Sequence, residues 1–62
     1  MMTLGERILQ YRAKEGISQA EMAKRCRISL QAVNYIERGR QKPSRLTTAK
    51  IEMVIAEKGE EA

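Results

Sequence analysis

Sixty-two residues with two aromatics and a net charge of +4 leave room for one small domain, close to the lower limit for a self-sufficient core. With no histidine, one cysteine and four widely separated glycines, the chain offers no metal-ligand cluster, no Cys/His pair and no phosphate-cradling loop. Neither catalysis nor a cofactor is therefore expected. The absence of any apolar run of membrane length, and a lone cysteine that suits a reducing compartment, point to a cytoplasmic chain without a membrane partner.

The core must come from Ile, Leu, Val, Met and Ala, and β-branched residues never alternate along the chain, which predicts helices. Thr3-Leu-Gly-Glu6 has capping-box form, and Leu4, Ile8 and Tyr11 follow at helical spacing with Leu9 beside them. Arg12 projects to the edge of that apolar face, where a guanidinium needs an anionic partner. Tyr11 reads as core with its hydroxyl at the surface, and Gly16 ends the helix. Ser18-Gln-Ala-Glu21 is a second capping box, opening a helix of about two turns that carries Ala20, Met22, Ala23 and Cys26. Ser29 then offers another N-cap, so two helices are joined by a tight turn.

In that next helix Ala32, Val33 and Ile36 form the inward stripe. Gln31, Asn34, Tyr35 and Arg38 form a continuous outward band of hydrogen-bonding groups, with Leu30 at its margin and Glu37 between the faces. Gly39 ends the helix. Residues 40–43 make a basic loop, and Ser44 caps a last helix reaching about Lys58. That helix carries two apolar stripes, Leu46/Ala49/Met53 and Ile51/Val54/Ile55, separated by Lys50 and Glu57. One stripe covers a small core; the other is either an interface or further burial. Residues 59–62 read as a frayed tail of the single domain, residues 1–62.

Charge is unevenly spread. Between positions 24 and 45 stand Lys24, Arg25, Arg27, Arg38, Arg40, Lys42 and Arg45 against Glu37 alone. From Glu52 onward stand Glu52, Glu57, Glu60 and Glu61 against Lys58. A basic centre with an acidic end fits a face that meets a polyanion; an ordinary solvated surface is the competing reading.

The spacing of Arg12, Gly16, Ser18-Gln19, Ala23, Ile28-Ser29, Ile36-Glu37, Gly39 and Pro43-Ser44 resembles the phage repressor/Cro-type helix-turn-helix domains, the XRE-like family. The likeness runs from Leu4 to about Ile55. It implies an all-α, four-helix, lambda-repressor-like fold and a sequence-specific transcriptional regulator of double-stranded DNA, a repressor of phage, plasmid or mobile-element type, encoded by a bacterium or phage. It implies that the helix after Ser29 enters the major groove, with Leu30, Gln31, Asn34 and Tyr35 at the base edges. It also implies that Gln19 and Arg38 touch phosphates and that Arg12 pairs with Glu37 as a structural ion pair. The basic residues Arg40, Lys42 and Arg45, beside that helix, are further phosphate candidates. Neither a small-molecule ligand nor a metal is implied. A homodimer is expected from the second stripe of the last helix.

The chain departs from the pattern at Arg27, where glycine is usual, at Cys26, where leucine is usual, and at Leu30, a site often polar. A left-handed Arg27 would cost about 1 kcal/mol. A rival reading keeps the fold as a protein-interaction module, such as an antitoxin-like domain, with little DNA binding of its own.

Overall fold

Each helix starts at a hydroxyl. In the computed structural model, which describes residues 2–40 and 42–58, the elements are α1 (Leu4–Glu15), α2 (Gln19–Cys26), α3 (Leu30–Glu37) and α4 (Arg45–Lys58). There is no strand among the described residues. The side chains of Thr3, Ser18, Ser29 and Ser44 accept from the backbone amides of Glu6, Glu21, Ala32 and Thr47, at 3.0 to 3.1 Å. Each satisfies one of the amides that a helix start leaves without a partner. At Thr3 the box is reciprocal, because Glu6 Oε1 accepts from the Thr3 amide at 2.9 Å. At Ser18 it is one-sided: the Glu21 carboxylate turns instead to Arg25, one helical turn on. The expected tail, residues 59–62, and the side chain of Glu57 as a divider of stripes lie outside the described residues.

α1, α2 and α3 also stop in one way. The amides of Ile17, Ile28 and Arg40 reach back to the carbonyls of Arg12, Ala23 and Tyr35 at 3.1, 3.0 and 2.9 Å. Those are the six-to-one bonds of the Schellman motif, which needs a left-handed residue just before the closing amide. Gly16 and Gly39 fill that position at φ 66° and 70°; Arg27 fills it at φ 60°. The helix-turn-helix corner thus takes the glycine conformation without a glycine, and its two closing bonds offset part of the strain.

Ile8, Tyr11, Met22, Ala23, Cys26, Val33, Ile36, Ile51 and Ile55 form the core, with Leu4, Ile17, Ile28 and Val54 packed around it. α3 lies against α1 and α2, and α4 packs on the same two helices. Burial pushes the Cys26 thiol up from its ordinary range, keeping it a neutral, inert core group. The Ile51/Ile55 stripe of α4 is buried; Leu46, Ala49 and Met53 are exposed, Leu46 by 67% and Met53 by 66%.

Gly5 sets how closely α1 meets α3. A Cβ added there would collide with the Ile36 carbonyl oxygen and stand 3.2 Å from the Glu37 Cα. The absence of a side chain lets the start of α1 sit directly on the end of α3.

Candidate nucleic-acid interface

α3 is short and splits cleanly into faces. Val33 and Ile36 are buried, Ala32 half-buried, and Leu30, Gln31 and Tyr35 exposed. Leu30 is 50% exposed, so its methyls face outward rather than filling the core. Gln31 Nε2 donates to the Tyr35 hydroxyl at 2.8 Å, one turn along the helix. The ring of Tyr35, 36% exposed, is thereby held beside the amide. These three side chains form an outward surface with methyl, carboxamide and phenol groups together.

Asn34 stands apart from that surface. It is half-buried, and its Nδ2 donates to Gln19 Oε1 at 3.4 Å, a long bond that crosses from α3 to the first residue of α2. Gln19 Nε2 in turn donates to Glu37 Oε1 at 2.8 Å. Both ends of the Gln19 amide are therefore engaged. The Glu37 side chain, 6% exposed, receives Arg12 Nη1 on both oxygens, at 3.0 and 2.9 Å. Arg12 Nε donates to the Ile17 carbonyl at 3.2 Å. One guanidinium so ties α1, the α1–α2 turn and α3 together. A carboxylate this buried needs such partners, because desolvation would otherwise be uncompensated.

Three arginines of the first two helices are paired with carboxylates, whereas Lys14 and Lys24 are exposed and have no carboxylate partner among the described residues. Arg7 meets Glu52 at 3.3 Å, Arg12 meets Glu37, and Arg25 meets both Glu21 and Glu15 at 3.2 Å. Arg25 also donates to the Tyr11 hydroxyl at 3.1 Å, so that hydroxyl is covered by a guanidinium rather than left at a bare surface. The phenol, Glu21 and Glu15, in that order, hold Arg25 above the ordinary arginine range and keep it charged. From residue 27 to residue 50, by contrast, no cation has a carboxylate partner among the described residues. Arg38 caps the end of α3, Arg40 follows it, and Arg45 opens α4. Arg38 borders a shallow groove with Thr3, Gly5 and Pro43, while Lys42 borders another with Arg7, Pro43 and Glu52.

The basic run of the sequence is therefore not one surface. Arg25 is neutralised locally, and Arg27 edges a groove between α2 and α4 with Cys26, Lys50, Met53 and Val54. Lys24 is exposed on α2, and the other four bases, Arg38, Arg40, Lys42 and Arg45, belong to the end of α3, the loop after it and the start of α4. Sequence reading missed Gly5, the Gln19–Asn34 link and the Arg25 cluster. Only the last left a signal, the i, i+4 spacing of Glu21 and Arg25. Among the described residues no group of three or more His, Cys, Asp or Glu side chains could hold a metal, and no helix is long and apolar enough to cross a membrane.

Residues 8–58 match a family model described as helix-turn-helix. Comparison with curated proteins finds no match, and comparison with solved structures finds none either.

Proposed function

The chain belongs to the XRE-like helix-turn-helix family of DNA-binding transcription regulators, and from that premise we propose that it is a sequence-specific repressor of phage, plasmid or mobile-element type that reads the major groove with α3. The observation that carries the reading is the pairing of an exposed polar face on α3 with a neighbouring set of bases that no carboxylate among the described residues neutralises. Phosphates reward cations at any sequence, whereas base edges reward donors and acceptors in a pattern.

On this reading Gln31 presents an amide that fits adenine at N6 and N7, and Leu30 and Tyr35 offer apolar contact for a thymine methyl. Asn34 adds a second amide. Arg38, Arg40, Lys42 and Arg45 hold the backbone, with Gln19 as a neutral contact at the start of α2. The Arg12–Glu37 pair keeps α3 at a fixed angle to the rest and touches no base. The exposed Leu46/Ala49/Met53 stripe supports a homodimer. The repressor assignment rests on the resemblance of the sequence to phage repressors.

Binding to random-sequence duplex, titrated with salt, tests the reading. The expected result is weak binding at low salt that falls steeply as salt rises, by a slope near 0.9 per phosphate neutralised, a value roughly constant for duplex DNA. Negligible binding even at low salt would favour the rival protein-interaction module.

A further inference from the structure

The chain of bonds from Arg12 to Asn34 has a direction. The Glu37 carboxylate can only accept, so the Gln19 amide must turn its NH2 toward it. The Gln19 oxygen is then fixed on the far side, where it too can only accept, so Asn34 must turn its own NH2 inward. What Asn34 has left to present is its oxygen and one remaining N–H. A buried ion pair thus decides which way round an amide on α3 points. Gln31 is under no such rule. Its partner is a phenol, which can donate as well as accept, so either orientation of the Gln31 amide keeps the bond to Tyr35.

We propose that Gln19 is a specificity-determining residue: it transmits the polarity of Glu37 to Asn34, so that Asn34 reads its base pair with a fixed acceptor while Gln31 adapts to its own. The proposal rests on α3 being the reading helix, and it gives Gln19 a role that a phosphate contact alone would not have. A holder acts on all sequences equally. Beyond any such uniform contribution, Gln19 acts on one base position, through a second side chain, because freeing the Asn34 amide lets donor and acceptor exchange places.

The test is selection of duplexes from a randomised site library by the wild-type chain, Gln19→Met, Asn34→Ala and the double variant. Methionine keeps the length and helical fit of glutamine while removing both polar atoms, and the Arg12–Glu37 contacts remain to hold the fold. Gln19→Met should lower discrimination about three- to tenfold at the one base position that Asn34→Ala also affects, within the lower part of the range for directly coupled residues. In the double variant the second substitution should add nothing further at that position. A uniform loss of affinity with an unchanged preference profile would overturn the proposal while leaving DNA reading by α3 intact. A wild-type chain that selects no sequence at all would overturn both.

Discussion

Arg12 has its charge matched by a carboxylate with little access to water, so its removal would leave Glu37 held only by the neutral amide of Gln19. Arg12→Ala is expected to cost about 3 kcal/mol, as stranding one member of a buried pair does. Thermal denaturation checks it: a midpoint close to wild type would mean that water screens the pair. Helical projection put Arg12 at the edge of an apolar face and so called for an anionic partner, but that the partner is Glu37 came only from the resemblance to repressor-type domains. Gln19 was less legible. Its side chain is claimed by Glu37 and Asn34 only because α2 and α3 cross at that point, and no spacing within either helix encodes the crossing. Gly5 is a similar case. A glycine in a first turn reads as a weak helix former, and only the nearby Ile36 carbonyl gives it a purpose.

At the level of elements, starts and stops were the readable part, because caps and left-handed stops act through residues a few positions apart. The four hydroxyl caps and the closures at Gly16 and Gly39 follow from such local chemistry. Arg27 is where local preference and tertiary need disagree: the Schellman closure of α2 demands positive φ, and the chain supplies it with an arginine. Arg27→Gly should therefore relieve roughly 1 kcal/mol of strain, less the added entropy of glycine in the unfolded chain. The expected outcome is a modestly higher denaturation midpoint without change in the helical circular dichroism. A lowered midpoint would mean that the Arg27 side chain contributes more, through the groove it shares with Lys50 and Met53, than its backbone costs. α4 was legible as two stripes but not as to which faced inward, since periodicity gives a helix's faces and not its neighbours.

Over the whole molecule, the sequence shows a basic centre and an acidic end, but folding redistributes the bases. Arg25 is drawn into the body by Tyr11, Glu15 and Glu21, while Arg38, Arg40, Lys42 and Arg45, without carboxylate partners among the described residues, follow one another around the α3–α4 connection. The exposed Leu46 and Met53 lie on α4, whose main packing is on α1 and α2. A homodimer formed through that stripe would use side chains of α4 and not the exposed Leu30, Gln31 and Tyr35 of α3. Sedimentation should give twice the monomer mass for the wild type and the monomer mass for Met53→Glu, which buries a charge in the proposed contact. A wild-type monomer, both free and on duplex, would remove the dimer without touching DNA binding. The central claim is that α3 reads bases while the neighbouring cations hold phosphates, and binding titrations of Gln31→Ala and Arg40→Ala on a randomised duplex library at several salt concentrations test it most directly. Gln31→Ala should lose roughly 1–3 kcal/mol on the preferred site and flatten preference at one base position. Arg40→Ala should weaken all sequences alike and lower the salt slope by about one. An unchanged preference profile for Gln31→Ala beside a reshaped one for Arg40→Ala would contradict the account.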